Sequence, residues 1–533
     1  MTLNFIGVSM TTFTQEDFDL LQAMLMHDNS DLVYEALDYL KGINPPIELW
    51  WALLDLEPIE SFDEWAQWLS QEEDILPHHR VLAVSVLGIF VEQQPEITAG
   101  VTQLNLMGCS LFEIPTWISH FEQLEFLNLA YNPLSDVSSV IVHLPLLNLT
   151  MAHCSLTRLP ECIGDLSRLR VLDCGHNQIS SVAEEVCNLE HLEILSLYDN
   201  ELTVLPDQWG FVHSLTHLDV TLNPIGCVPP PVEDCESLKA LLLNGCELTT
   251  LPDWIGGIQS LEMLSTGGNP LRRLPASIGQ LKNLRVLSLW DCILTDIPDS
   301  FGGLALRELD LSYNHLTILP NSLEDCEFQR LIVHGNPLTE LPVGLNRVSL
   351  DGRQMESLAE QMQELNRLQS LDLTDRDLTT VPESIRYLTQ LTTLMLSENQ
   401  IAELPEWLGE LTLLKCLDVW LNPLESLPTG LTSLVLSYDQ FEQFESQLVE
   451  MTALRHFGLI NNTVVRIPSS IGELTQLESL DLRGNDIVQL PEWLGGLPYL
   501  SQINMDGNPL SIKEIDTFKQ THPHIKIIWD EEE

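Results

Sequence analysis

From about residue 101 the sequence repeats with a dominant period of 23 residues, and this period constrains the fold more than any other feature. One copy begins at Leu192 with L-E-I-L-S-L-Y-D-N-E-L-T-V-L-P, and another begins at Leu477 with L-E-S-L-D-L-R-G-N-D-I-V-Q-L-P. Because the leucines of x-L-x-L-x alternate with other residues, they face one side of a short strand. No copy can bury its leucines alone, so the pattern predicts copies that stack around a continuous core.

Counting by the leading residue of the L-x-L pair gives nineteen copies, spaced by 22 or 23 residues except for two spacings of 17. The leading residues are Leu104, Leu127, Leu149, Leu172, Leu195, Leu218, Leu241, Leu264, Leu287, Leu309, Leu331, Val348, Leu371, Leu394, Leu417, Leu434, Phe457, Leu480 and Ile503.

The fifth residue after each leading position is usually asparagine, whose side chain can bond to neighbouring turns and form a ladder. Arg353, Arg376 and Asp439 break this ladder in three copies. Cysteine replaces asparagine in four others, and we expect those thiols to be buried and structural. They are Cys109, Cys154, Cys246 and Cys292.

The whole pattern resembles the leucine-rich repeat (LRR) proteins, and the arc L-P-x-x-I-G-x-L resembles their Ras-group class in its bacterial form. The resemblance implies an α/β fold, a leucine-rich-repeat solenoid with a curved parallel β-sheet on its concave side. We predict an N-terminal helical cap or docking domain over residues 1–98, the solenoid over 99–510, and a C-terminal cap with an acidic tail over 511–533. The N-terminal tryptophans fit either a cap or a docking domain; they are Trp50, Trp51, Trp65 and Trp68.

Residues 341–426 and 427–512 align at an offset of 86 and indicate a duplicated block of four copies. Each block starts with a 17-residue copy, and the next arc lacks L-P. Helical spacing of apolar residues replaces it, over 355–365 in the first block and 441–451 in the second. We interpret this pattern as the result of an evolutionary duplication that changes the curvature locally. The alternative is that the two helical arcs form a shaped docking edge.

The charge balance, 24 basic minus 78 acidic residues or −54, argues against binding to nucleic acid or to anionic membrane, because both need clusters of Lys and Arg. It favours a partner with a basic surface, although solubility alone would also explain it. No leader and no apolar run of about 18 residues is evident. Eleven scattered cysteines fit reduced thiols in a cytoplasm. We further expect a monomer, because a chain of this charge repels itself, and the low lysine content favours a bacterial source.

The sequence contains no phosphate loop, H-E-x-x-H, C-x-x-C or G-x-S-x-G motif. It therefore predicts a non-enzymatic protein without a cofactor. A hard cation such as calcium, held by Asp351, Asp372, Asp375 and Glu398, is the alternative use of one acidic cluster.

Outward strand positions and the position before the ladder carry aromatic and acidic side chains in columns. Large exposed aromatics are typical of binding hot spots, and surrounding charge steers a partner, although scattered exposed rings are ordinary. We predict a protein-binding site on the concave face, with Arg330, Arg347 and Arg483 as its few cations. The first patch holds Tyr131, His153, His176, Tyr198 and His217, the second Trp290, Tyr313 and His334, and the third Trp420, Leu421 and Tyr438. The acidic residues of the site lie between these patches and include Asp219, Asp291, Asp372 and Asp375.

A second aromatic set shares one convex position, the W of P-x-W-[IL], where stacking along the convex edge or a second interaction surface would explain it. This set is Trp117, Trp254, Trp407 and Trp493. The favoured function is a scaffold that binds a protein partner. The alternatives are a bacterial effector that acts on host proteins and an acidic decoy or chaperone for a basic protein.

Overall fold

The computed structural model describes residues 20–24, 36, 84, 87–208, 211 and 213–529, and the chain divides into two compact units, Met1–Asn269 and Pro270–Glu533. Most of the predicted N-terminal cap or docking domain, with its four tryptophans, lies outside the described residues, although residues 20–24 within it are helical. Residues 87–93 are helical and bury Leu87, Phe90 and Val91. No helix in the described part is long and apolar enough to span a bilayer.

The first unit contains a parallel sheet in which each three-residue strand pairs with the next one along the chain. The central residue of each strand is buried, as the alternating pattern predicts. The strands are Gln103–Asn105, Phe126–Asn128, Asn148–Thr150, Val171–Asp173, Ile194–Ser196, His217–Asp219, Ala240–Leu242 and Met263–Ser265. A separate parallel pair, Arg158–Leu159 with Ser181–Val182, lies in the loops and was not predicted.

The second unit repeats the same arrangement, again with parallel pairing between consecutive strands. Across the two units, every one of the nineteen predicted leading positions is the centre of a strand. The strands here are Val286–Ser288, Glu308–Asp310, Arg330–Ile332, Arg347–Ser349, Ser370–Asp372, Thr393–Met395, Cys416–Asp418, Ser433–Val435, His456–Gly458, Ser479–Asp481, Gln502–Asn504 and Lys526–Ile528.

Short 3₁₀ turns return the chain after most strands, and most begin directly after a proline that follows Leu, Ile or Val. Proline holds φ near −65° and has no N–H to satisfy, which suits the residue before a helical turn. The turns are Pro95–Thr98, Thr116–His120, Ser139–Ile141, Glu161–Asp165, Glu184–Asn188, Pro230–Asp234, Asp253–Gly257, Ala276–Gln280, Asp299–Gly303, Asn321–Asp325, Gln361–Gln363, Glu383–Tyr387, Glu406–Glu410, Ser469–Glu473 and Glu492–Gly496.

The predicted asparagine ladder is present and joins consecutive turns. Buried Asn269 donates through Nδ2 to the carbonyl oxygen of Leu243 at 2.8 Å, and its Oδ1 accepts from the N–H of Leu248 at 2.9 Å. Cys246 acts in the same place, because its thiol donates to the carbonyl oxygen of Val220 at 3.2 Å and burial raises its pKa to about 11. The ladder satisfies backbone groups that no strand pairing reaches.

Two of the three predicted breaks in the ladder are repaired by glutamine. Gln354 follows Arg353 and donates through Nε2 to the carbonyl oxygens of Val333 and Asn336, at 2.9 and 3.0 Å. Gln440 follows Asp439 and bonds in the same way to Val419 and Asn422. The ladder therefore continues, displaced by one residue, because a helix begins at each of these positions.

Arg376 fills the third break. Its Nε donates to the carbonyl oxygen of Leu350 at 3.3 Å, which lies 26 residues earlier, the same separation that an asparagine spans. No acceptor is needed in return, because the N–H of Met355 already bonds to Asp351 inside a helix. A donor-only side chain therefore suffices here.

The two predicted helical arcs are the helices Gly352–Ser357 and Tyr438–Leu448, and each begins three residues earlier than its apolar spacing. A capping box starts both: Asp351 with Gln354, and Ser437 with Gln440. The bond pattern recurs at the predicted offset of 86, since Gln361 accepts from the N–H of Leu341 and Gln447 from that of Leu427.

The C-terminal segment forms a helix, Ile512–Thr521, and a last strand that pairs with Gln502–Asn504. Ile515 and Phe518 are the buried residues of this helix. The segment therefore covers the leucines of the preceding copy.

Candidate functional site

The residue before the ladder position has a positive φ in most copies of the repeat. Glycine takes this conformation without strain, and Gly108, Gly245 and Gly268 do so here. Tyrosine and leucine take it only at a conformational cost of about 1–2 kcal/mol. Even so, Tyr131 and Tyr313 occupy this position, with φ of 57° and 53°. His153, His176, Asp291 and Asp375 share it.

The positive φ of Tyr131, His153 and His176 brings their side chains into one stack. Tyr198, which comes directly before the positive-φ residue of its copy, extends the stack, and we call the four rings the ring column. The Tyr131 and His153 rings lie 4.2 Å apart and nearly parallel, and His153 stacks on His176 at 3.9 Å. Tyr198 meets His176 edge-on at 4.5 Å. His217, predicted in the same patch, bonds instead to Thr216 through its ring nitrogen.

Carboxylates flank the ring column. Asp199 contacts the Nδ1 atom of His176. Burial, followed by Asp173 and other neighbours, raises the pKa of the Tyr198 hydroxyl, and burial also raises the pKa of Asp219. Burial and the neighbouring His176 lower the pKa of His153. The column is thus an aromatic surface inside an acidic rim.

The strand aspartates also have a structural role that sequence reasoning missed. The Oδ1 atom of Asp219 accepts from the N–H of Thr221 at 2.9 Å, and Asp372 accepts from Thr374 at the same distance. Such bonds to the N–H two residues later stabilise the turn that leads to the positive φ. The recurrence of Asp or Asn directly after the leading leucine was the signal for this role, so the acidic column reflects turn chemistry as well as charge.

The second patch is partly assembled. Tyr313 and His334 meet at 5.0 Å with perpendicular rings, and 39% of Trp290 is exposed. The Nδ1 atom of His334 accepts from Nη2 of Arg376 at 2.9 Å, while burial and this guanidinium lower the pKa of His334. An unprotonated Nδ1 leaves the Nε2–H of His334 as a donor. Asp291 is exposed in the neighbouring copy.

The third patch is not brought together in the same way. Tyr438 is the first residue of a helix, and its ring packs at 6.2 Å against Phe441 of that helix. Within the described residues no ring contact joins Tyr438 to Trp420, which is half-buried one copy earlier. The helix that replaces the usual turn therefore directs Tyr438 towards its own core.

The alternative of a calcium site is not supported, because Asp351, one of its four proposed ligands, is engaged elsewhere. Both oxygens of Asp351 are used, one by the N–H of Gly335 at 2.7 Å and one by the N–H of Gln354 at 2.9 Å. No group of three or more His, Cys, Asp and Glu residues in the described part of the chain is placed to hold a metal ion. Asp351 is a helix cap.

Of the convex tryptophans, Trp117 and Trp407 are buried, and Trp254 and Trp493 are half-buried. The indole of Trp117 lies so close to Gly88 that a Cβ there would be 2.4 Å from it. These contacts favour packing along the convex edge over a second interaction surface.

Three sequence profiles of known families match the chain. A profile described as a leucine-rich repeat region matches residues 168–289, and leucine-rich repeat profiles match residues 283–304, 305–326 and 452–510. None of the curated proteins matches the chain.

Several solved structures are similar to it. A leucine-rich repeat protein of Leptospira interrogans is 24% identical, with 82% of this chain and 98% of that chain covered and a TM-score of 0.37. YopM, a leucine-rich effector protein from Yersinia pestis, is 23% identical over 70% of this chain and 98% of its own, with a TM-score of 0.47. The ectodomain of the Arabidopsis thaliana membrane receptor kinase GASSHO1/SCHENGEN3 is 26% identical over 82% and 59%, with a TM-score of 0.43.

Proposed function

Since the chain belongs to the leucine-rich repeat proteins, whose domains are in general non-enzymatic binding modules, we propose that it is a scaffold that binds a partner protein on its strand face. The observation that carries the proposal is the ring column. Its rings are held on exposed or half-buried positions, and 54% of Tyr131 is exposed.

The backbone supports this proposal independently of the rings. Glycine fits the positive-φ position better than tyrosine, and the chain uses glycine there in several copies. A bulky side chain that persists at such a position is typical of a functional site. Because the strands already fix the rings, little conformational entropy is lost when a partner binds.

The charge supports a partner with a basic surface. Asp173, Asp199 and Asp219 flank the column, and the whole chain carries −54. Opposite charge on a partner would raise the association rate and suppress acidic competitors. All eleven cysteines are free thiols, which supports the proposal of a reducing, cytoplasmic location, and we keep the monomer as part of the same proposal.

The test compares wild type with Tyr131→Gly/His153→Gly/His176→Gly as baits for affinity capture at about 0.1 M and about 1 M NaCl, followed by binding of the purified captured protein. Glycine preserves the backbone at these positions, as Gly108 and Gly245 show. The matched control, Phe112→Ala/Tyr387→Ala/Tyr499→Ala, removes three exposed rings that lie off the strand face.

We expect a basic protein that binds wild type and the control at both salt concentrations, and binds the glycine variant at least about tenfold more weakly. Equal binding to all three baits that vanishes at high salt would refute the ring column as the site. That outcome would favour the acidic decoy instead, because a purely electrostatic complex is screened by salt.

A further inference from the structure

Four arginines cross consecutive copies at the edge of the second unit where its strands begin. Arg285 and Arg307 each precede the first residue of a strand, while Arg330 and Arg347 are themselves first residues. We call these four residues the arginine strip. Ten of the chain's 24 basic residues fall between residues 272 and 376, so the strip lies in the most basic region of an acidic chain.

The backbone places the four residues in one row. The N–H of Arg307 donates to the carbonyl oxygen of Arg285 at 2.8 Å, and the N–H of Arg330 donates to that of Arg307 at 3.0 Å. The parallel register that pairs Ile332 with Ser349 sets Arg330 beside Arg347. Neighbouring strands are about 4.8 Å apart, so the row extends over roughly 15 Å.

The arginine strip has no carboxylate partner. In the part of the chain that the structure describes, no Asp or Glu oxygen lies within 4.0 Å of the charged nitrogens of these four residues. Even Glu308, which pairs with Arg330 in the strand register, does not reach it. The arginines of the first unit differ, because Arg158, Arg168 and Arg170 all form ion pairs.

Backbone carbonyls hold two members of the strip in place. Arg285 donates through Nη1 to the carbonyl oxygen of Ala305 at 3.2 Å, and Arg347 donates through Nη1 to that of Gln329 at 2.8 Å. Arg307, Arg330 and Arg347 are exposed. Three of the four positive charges are therefore accessible and two are held by the backbone, and none forms a described ion pair although the chain has 78 acidic residues.

We propose that the arginine strip is a second binding surface, and that it takes a carboxylate-rich, acidic peptide segment of a partner protein. Guanidinium groups bind carboxylates through two parallel hydrogen bonds. Side chains on one face of an extended peptide recur every 6.6–6.8 Å or so, and a peptide laid obliquely across the strands can meet successive arginines. The ring positions follow the strands and the strip precedes them, so the two surfaces are separate.

An acidic peptide suits this surface better than a nucleic acid. Glu308 and Glu327 are exposed beside the strip, and the chain as a whole repels a long polyanion. A short peptide needs only the local field, because at physiological salt charges more than about 8 Å away are screened.

The test measures fluorescence anisotropy of a labelled oligoglutamate peptide, with an oligoglutamine peptide as the neutral probe, on the full chain at about 0.15 M salt. The variant is Arg307→Gln/Arg330→Gln/Arg347→Gln. The matched control, Arg158→Gln/Arg168→Gln/Arg170→Gln, makes the same change in net charge in the first unit. We expect oligoglutamate to bind about tenfold more weakly to the strip variant and within about twofold of wild type to the control.

Equal losses in the two variants would overturn the proposal, because general charge would then explain the binding. So would equal binding of both peptides to wild type. If a single-stranded oligonucleotide binds through the strip and oligoglutamate does not, the ligand of the strip is a nucleic acid and the peptide proposal is wrong. Lysine at the three positions keeps the charge and the fold, and we expect it to weaken oligoglutamate binding partially. The triple glycine variant of the ring column should bind oligoglutamate normally, which separates this proposal from the proposed function.

Discussion

At the scale of single residues, backbone conformation and side-chain identity are decided separately in this fold. The turn after most strands has a positive φ, whichever residue occupies it. Glycine would satisfy the backbone everywhere, yet tyrosine, histidine and leucine occupy many of these positions. The side chains are therefore explained by what they contact rather than by the turn.

Leu222 offers a direct test of this separation, since its φ is 55° and 52% of the residue is exposed. We expect Leu222→Gly to change the free energy of unfolding by less than about 1 kcal/mol, because relief of the strained φ offsets the flexibility of glycine. The buried strand residue Leu218, changed to alanine, should cost about 2–5 kcal/mol. Urea unfolding measures both, and a large loss in Leu222→Gly would show that its side chain is structural.

Asp219 separates turn chemistry from charge. Asp219→Asn retains an oxygen that accepts from the N–H of Thr221, so we expect it to leave the stability at neutral pH unchanged or slightly raised, since burial disfavours the charged carboxylate. Asp219→Ala loses the bond and should cost about 1 kcal/mol. Thermal unfolding of the two variants decides this, and equal stabilities would mean that the bond to Thr221 contributes nothing.

His334 should make stability depend on pH. Its pKa is lowered in the folded chain by burial and by Arg376, against Asp310, Asp351 and Asp372, which raise it. The unfolded chain therefore binds the proton more readily, so stability is fully present above pH 6.5 or so and is lost as the pH falls below it. In His334→Gln an amide oxygen accepts from Arg376 at every pH. We expect urea midpoints at about pH 7.5 and about pH 5.5 to differ less in this variant than in wild type.

At the scale of elements, one structural task is performed by different side chains. Each turn must donate to carbonyl oxygens of the preceding turn, and Asn269, Cys246 and Arg376 all do so from the ladder position. Where a helix replaces the turn, a glutamine one residue later takes the role. The requirement is a donor at one point in space, and the local backbone selects which side chain can reach it.

Gln440 should therefore be as important as a ladder asparagine. Gln440→Ala leaves the carbonyl oxygens of Val419 and Asn422 without this donor in a buried region, so we expect a loss of about 2 kcal/mol. Gln363→Ala is the control, because Gln363 is exposed at the end of a 3₁₀ turn. It should change the free energy of unfolding by less than about 0.5 kcal/mol. A Gln440→Ala variant as stable as wild type would show that water replaces the amide.

The repeat made the strands predictable, because leucines that recur at a fixed spacing in a stacked fold must each lie at the same position of a strand. The register of the nineteen strands and the two helical arcs follow from spacing alone. Gln354 and Gln440 could not be identified as ladder residues, because the helix that shifts the donor by one residue is set by a capping box and not by the repeat. The contact between Tyr438 and Phe441 was missed for the same reason. The stack of Tyr131 on His153 required the φ angle, which the sequence does not state.

At the scale of the whole molecule, the excess of acidic residues is the dominant long-range force. A net charge of −54 makes the folded chain repel itself. Apart from the contact between His176 and Asp199, the described ion pairs are surface contacts of arginine or lysine with Asp or Glu, and such pairs contribute little. Stability comes from the leucine core of each unit and from the ladder, against the repulsion between acidic residues.

Salt should therefore stabilise the protein. We expect the thermal midpoint at neutral pH to rise by a few degrees between about 0.02 M and about 0.5 M NaCl, because screening reduces the repulsion between carboxylates. Differential scanning calorimetry in NaCl and in KCl separates screening from specific ion binding. A midpoint that falls with salt would mean that the surface ion pairs outweigh the repulsion.

The recurrence of identical bonds 86 residues apart has a consequence for how such a chain changes over generations. Leu341 and Leu427 both hold their turn by pairing with a glutamine amide, Gln361 or Gln447. Misaligned recombination between two such points would remove or add one block. The residues at the junction would keep the same kind of contacts, because the bond pattern is the same in both blocks. The protein can thus become longer or shorter in steps of four strands without new contacts having to form at the junction between repeats. The length of the surface that a partner can contact is then set by the number of blocks, and selection can act on that length alone.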